Sequence, residues 1–327
     1  MALKRIELDL YIYDGLVTDI PLEPQYQIKK QRIDTHNNIT LEIGELIRDY
    51  VSVYFNDDYV SYTKWVRAVV TYFDSSDHPF TYDNPKVFEY IAFDGYGFFE
   101  DGTNPELQRH ALISSNNIYI PENTAGKFPI FAEGVGKVTI DSTDTQITDS
   151  GNTNQKIQYI TIPANSNEIK VYDTDDTTLL KTVLITNVCE PKFTPYKITF
   201  VNKYGAFEDL YMFKKSTEQM NVTSDLYKRN TIANSTATYD TAEGQRSRYN
   251  VNGVTNIKLN TGFIIEDMNT TIEELFLSEN VWVRYENKTL PILPKSQSLD
   301  FKTSLNDKLI NYTIDFEFAF DKINNVR

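Results

Sequence analysis

The chain is 327 residues long, with 46 acidic against 32 basic residues and a formal net charge of −14. That balance argues against a surface that grips phosphate backbones, since such affinity comes from Lys and Arg. It fits simple solubility, or an acidic wall that keeps passing nucleic acid from sticking. One cysteine excludes an internal disulfide, and 13 Gly with 12 Pro exclude collagen-like or low-complexity material.

From the N-terminus, Leu8, Leu10 and Ile12 alternate with Asp9, Tyr11 and Tyr13, the period-two pattern of a strand, closed by Asp14-Gly15. A second extended run, Tyr26 to Lys30, follows a break marked by Pro21 and Pro24. Ile43, Leu46, Ile47 and Tyr50 then fall at i, i+3, i+4 and i+7, which predicts a short helix with Thr40 as its cap. Tyr62–Phe73 and Val87–Phe93 read as strands, and Asp94 to Leu107, with its glycines and Pro105, as a long surface loop.

From Asn116 onward the strands become short and evenly spaced: 118–120, 128–131, 138–140, 157–162, 168–172 and 179–185. Spacing near ten residues with polar turns predicts a small sandwich over 116–190, with 141–154 as its most exposed stretch. Glu190-Pro191 and Thr194-Pro195 mark a boundary, because proline cannot donate to a strand ladder.

In the last block, Lys197–Gly205 and Ala206–Phe213 read as a hairpin. Thr231 to Asn256 is polar and reads either as a loop or as weakly patterned strands. Thr270 and Glu273 form a capping-box pattern ahead of Ile272, Leu275 and Phe276, predicting a second helix. A meander follows over 281–285, 289–293, 298–303 and 310–320. In it Tyr312, Ile314, Phe316, Phe318 and Phe320 alternate with Thr313, Asp315, Glu317 and Ala319. Four aromatics on one face demand a buried partner layer, at roughly 150–250 Å² each. The predicted fold class is therefore mainly β and multi-domain, with antiparallel sandwich or barrel-like blocks and two short helices. The predicted blocks are 1–115, 116–190 and 191–327.

Residues able to carry chemistry are sparse. His36, His78 and His110 sit in polar loop contexts without metal-ligand or triad spacing, so they read as surface residues. Cys189 follows an apolar run and reads as a small buried or half-buried residue rather than a nucleophile. Asp173, Asp175 and Asp176 offer the hard oxygens calcium prefers, but the spacing of a calcium loop is absent and a solvated turn is expected. Gly95-Tyr96-Gly97 lacks the third glycine of a phosphate loop. Tyr11, Tyr13, Tyr59, Tyr62, Tyr72, Tyr82, Tyr90 and Tyr96 crowd the first block, suited to strand packing, a protein interface or sugar contact. No catalytic, cofactor-binding or metal residue is assigned. Without a signal segment or an 18-residue apolar run, the sequence predicts a chain made in the cytoplasm with no membrane insertion.

Three patches resemble a family. Glu42 to Tyr50 is similar to an I-x-x-L-I-R-D-Y helix of uncharacterised structural proteins of tailed bacteriophages, phages of Bacteroidetes-type hosts among them. Phe200 to Phe213 resembles their F-V-N-x-Y-G-x-x-x-D-L-Y-F-F hairpin, and Asn306 to Ala319 their closing N-D-K-L-x-N-Y-T-x-E-F-E-x-A strand. The resemblance implies a non-enzymatic virion subunit of the tail, tail tip or neck. It lends no catalytic residues and no cofactor. Its expected partners are copies of itself in a ring and other tail or neck proteins, with no direct nucleic-acid binding. A host-surface glycan bound by the middle block is the alternative.

Overall fold

The computed structural model describes residues 3–33, 38–82, 84–96, 111–231, 238, 240–295 and 309–323. Strands make up 51% of the structure and helices 8%, so the chain is mainly β, built of several antiparallel sheets with two helices. In chain order the elements begin with β1 (Leu3–Tyr13), β2 (Tyr26–Gln31), α1 (Gly44–Arg48), β3 (Thr63–Asp74) and β4 (Lys86–Phe93). Then come β5 (Asn117–Pro121), β6 (Gly126–Phe131), β7 (Lys137–Ile140), β8 (Thr143–Gln146), β9 (Ile157–Ile162), β10 (Glu168–Tyr172) and β11 (Leu179–Val188). β12 (Tyr196–Val201), β13 (Phe207–Met212), β14 (Thr217–Lys228), β15 (Arg246–Asn260) and β16 (Ile264–Ile265) precede α2 (Asn269–Leu277). β17 (Val281–Tyr285), β18 (Lys288–Pro294), β19 (Leu309–Ile310) and β20 (Thr313–Ile323) close the chain.

Two compact units are interleaved along the sequence. Unit 1 comprises residues 1–189, 199–209 and 270–280; unit 2 comprises 190–198, 210–269 and 281–327. Unit 1 opens with the antiparallel sheet β2-β1-β3-β4. Its register places Leu8 opposite Val70 and Leu10 opposite Ala68, so the alternating apolar residues share one face. Ile6, Leu8, Leu10, Ile12, Val66, Ala68 and Val70 are buried there with Ile47 of α1. Each of these Ile, Leu and Val side chains stabilises by about 1.5–3 kcal/mol on leaving water. A five-stranded sheet follows in the order β5-β11-β10-β7-β8, beside the pair β6-β9. Val138, Ile169, Val171 and Val183 form its fully buried centre. β11 and β5 run parallel, an exception to the antiparallel expectation.

The largest sheet has the order β13-β12-β17-β18-β20-β15-β14, and the division between the units falls inside β12 and β13. Within unit 2, β20 pairs β15 with Phe316 opposite Ile257 and Ile314 opposite Leu259, all four almost wholly buried.

Several expectations need correction. Thr40 does not cap α1; Ile43 occupies the cap position without a side-chain bond, and the Glu42 carboxylate accepts the Gly44 N–H at 2.9 Å instead. Thr270 lies inside α2, which starts at Asn269 as the continuation of a 3₁₀ turn over Glu266–Met268. Phe276 is only half-buried, whereas Glu274 is buried. The stretch 141–154 is exposed as expected, and part of it forms the strand β8. Phe320 is 60% exposed rather than packed, although Tyr312, Ile314, Phe316 and Phe318 are buried as the alternation requires. Cys189 is exposed. The polar tract 231–256 contains the start of β15, and β14 carries no sequence pattern that announces it. The expected strand 298–303 and most of the loop 94–107 lie outside the described residues, as do His36 and His110.

Candidate functional site: a buried carboxylate pair and two open sheet edges

Unit 1 contains a polar centre that local patterning does not announce. Asn202 follows β12 and turns the chain; its carboxamide oxygen accepts N–H groups from Tyr204 at 3.1 Å and Ala206 at 3.2 Å. Gly205, at φ +74°, completes the turn in the left-handed region that suits glycine. The Asn202 amide donates to the Leu112 carbonyl at 2.6 Å and to Glu208 Oε2 at 2.9 Å. Thr271 of α2 donates to Glu208 Oε1 at 3.2 Å. Glu274, one turn further along α2, accepts from the Ser114 hydroxyl and, at 3.5 Å, from the Lys203 N–H, with Lys203 Nζ at 3.8 Å.

Both carboxyls are almost wholly enclosed, Glu208 at 9% and Glu274 at 3% exposure. Burial pushes the Glu208 carboxyl up to about 8, with the neighbouring Glu274 charge adding to it. Burial also raises Glu274, opposed by the Ser114 bond and the Lys203 charge. Burial and the neighbouring carboxylate therefore favour the protonated form of the Glu208 carboxyl. All four carboxyl oxygens are engaged by protein groups. The arrangement acts as a joint that ties segments 112–114, 202–208 and 271–274 together.

The residues singled out in the sequence scatter. His78 is exposed, and its backbone N–H is held by Asp74 at 3.0 Å. Asp175 caps its own turn, accepting from the N–H groups of Thr177 and Thr178 and from the Thr178 hydroxyl, which holds its carboxyl far below the usual range. Among the described residues no group of three His, Cys, Asp or Glu side chains converges as a metal site. Gly95 serves packing rather than phosphate: a Cβ there would lie 2.3 Å from the Lys203 carbonyl oxygen. Of the tyrosines, Tyr13 is buried, Tyr59 and Tyr62 pack around Phe207, and Tyr82 and Tyr90 are exposed.

The strongest surface signal is at the sheet edges. An end strand presents unpaired backbone groups, and natural proteins blunt it with brevity, charge, proline or cover. β2 carries exposed Lys29 and Lys30; β8 is four polar residues; β5 is five residues ending in Pro121; β13 is largely buried. β4 and β14 are long and bear exposed apolar side chains. On β4, Phe88 and Tyr90 stack at 6.4 Å and are 38% and 49% exposed. They stand opposite Ala68 and Val66, on the apolar face of their sheet. On β14, Met220 and Val222 are 54% and 45% exposed. Glu218, two residues before Met220, stands opposite buried Ile257, so these two also lie on the apolar face of their sheet.

Beyond Asn252 the β14–β15 ribbon continues without β20, and its tip exposes Leu226, Tyr227 and Tyr249. A two-stranded ribbon alone is marginal in water.

Charge is segregated as well. Unit 1 holds 33 acidic and 16 basic residues, a formal charge of −17, while unit 2 holds 13 acidic and 16 basic, a formal charge of +3. Among the described residues no helix is long and apolar enough to cross a membrane. No protein-family model matches the chain, and no curated protein shows significant similarity to it.

Proposed function

We propose that this chain is a non-enzymatic structural subunit of a tailed-phage virion, of tail or tail-tip type, that assembles head-to-tail with copies of itself into a closed ring. The observation that carries the reading is the pair of long end strands, β4 and β14, each bearing exposed apolar side chains at the edge of its sheet's apolar face. Exposed apolar strand edges are aggregation liabilities unless a partner covers them. One such edge belongs to the acidic unit and the other to the slightly basic unit, which suits unlike surfaces meeting around a ring rather than like surfaces across a two-fold axis. The three patches similar to phage structural proteins supply the virion context, and the carboxylate pair fits a rigidifying joint. The test is mass and shape in solution: light scattering and negative-stain microscopy of the purified chain give a closed multimer with a central opening. A chain that stays monomeric at all accessible concentrations refutes the proposal.

A second reading, glycan capture, draws on an open depression of about 360 Å³ in unit 1 where Tyr59 and Tyr159 stand beside Asp57, Lys127 and Gln158. Tyrosine faces beside polar groups suit sugar rings. Retention of the full chain on a glycan array, abolished by Tyr59→Ala, moves the assignment to this reading.

A further inference from the structure

We infer that the β14 edge of one copy adds to the β4 edge of the next, joining the large sheet of unit 2 to the first sheet of unit 1 in a neighbouring molecule. The inference rests on the self-assembling subunit proposed above and names the surfaces through which it assembles.

Three observations converge on this pair of edges. Among the described residues, of the end strands in the three larger sheets, only these two combine length with exposed apolar side chains: β14 has 12 residues and β4 has 8. Their exposed side chains also match by face. Strand addition continues a sheet, so residues opposite each other across the new seam share a face. Phe88 and Tyr90 lie on the apolar face of one sheet, and Met220 and Val222 on the apolar face of the other. One seam therefore covers all four with a shared apolar layer, and backbone bonding satisfies both edges. The third observation is charge. The β14–β15 ribbon carries Lys228, Arg246, Arg248 and Lys258 against Glu218 and Asp225, a surplus of two positive charges. β4 carries one Lys86 and one Glu89, no net charge. Two β14 edges pairing with each other would bring two basic ribbons together, which β14 on the net-neutral β4 strand avoids.

The experiment uses two double variants of the full chain. One disables the β14 edge, Met220→Glu with Val222→Glu; the other disables the β4 edge, Phe88→Glu with Tyr90→Glu. All four side chains are at least 38% exposed, so the circular dichroism spectrum of each variant matches the parent. In sedimentation velocity the parent runs as a multimer and each variant alone runs as a monomer. An equimolar mixture gives dimers and nothing larger, because one intact β14 edge meets one intact β4 edge once. A parent multimer that survives either double variant, or a mixture that stays monomeric, overturns this inference while leaving the structural-subunit reading standing. A monomeric parent removes both. Cross-linking provides a check independent of those charge insertions. In a Cys189→Ser background, Tyr90→Cys mixed with Val222→Cys yields a mixed dimer with a short bis-maleimide, and neither variant yields one alone. Absence of that mixed dimer also overturns the inference.

Discussion

Replacing Glu208 by Gln tests the buried joint most directly. An unfolded glutamate titrates near 4.5, whereas burial and the Glu274 charge push Glu208 in the fold up to about 8. A carboxyl raised on folding gives its full stability below the unfolded value, where both states are protonated. That stability is lost as pH rises through the folded value, because the unfolded chain releases its proton first. Each pH unit of separation is worth 1.36 kcal/mol, so the parent loses a few kcal/mol, at most about 5, between pH 4.5 and 8. Coupling to Glu274 spreads this loss over the pair rather than assigning it to one group. Gln keeps the shape and carries no proton to lose. Its oxygen accepts from Asn202, and its amide donates to the Thr271 hydroxyl, which rotates to accept. Urea titrations followed by circular dichroism at half-unit steps from pH 5 to 8 give the difference between the two proteins. Glu208→Gln gains on the parent steadily with rising pH. A difference that is flat across that window refutes a proton held in the joint.

Three further outcomes are expected from thermal and urea denaturation. Phe316→Ala, at a wholly buried position between β15 and β18, costs about 3–5 kcal/mol, while Phe320→Ala, three-fifths exposed, changes stability by under about 1 kcal/mol; equal effects would show that the β20 faces are misassigned. Gly205→Ala costs at least about 1–2 kcal/mol, since φ is +74° and the new Cβ lies 2.9 Å from the Asp94 nitrogen; an unchanged midpoint contradicts that turn geometry. Asp315→Asn removes a partner 3.3 Å from Lys258 on an exposed face and costs about 0–1 kcal/mol, a loss that shrinks in 1 M salt.

Much of the sheet structure is legible in the sequence because burial on one face imposes a period of two. β1 and β20 declare themselves that way, while the short strands of the middle block show through their even spacing and polar turns. The failures have a common cause: a local pattern gives the face of a residue but not the extent of the layer above it. Phe320 continues the β20 alternation past the end of its cover, so the pattern runs on where burial stops. β14 is exposed on both faces and shows no alternation of burial, although its ladder with β15 is long. Glu208 and Glu274 look like ordinary solvated carboxylates, since the groups that enclose them come from distant segments. The Phe-Val-Asn-Lys-Tyr-Gly run offered the one usable signal. A carboxamide closing a buried strand just ahead of a glycine turn invites the question of what its amide binds, and the Leu112 carbonyl and Glu208 answer it.

The interleaving of the units constrains the order in which the protein is made. Unit 1 draws on residues 199–209 and 270–280 as well as its first 189. While the nascent chain is shorter than 280 residues, Ser114 and Lys203 wait for Glu274, and Glu208 waits for the Thr271 hydroxyl. Synthesis proceeds at about 5–20 residues per second, so this interval lasts seconds, longer than the time in which small domains collapse. The N-terminal sheet therefore waits, partly assembled, for its last components, with the β4 edge and its aromatic pair already displayed. Folding cannot proceed strictly from one end to the other, and a chain released early lacks the joint altogether.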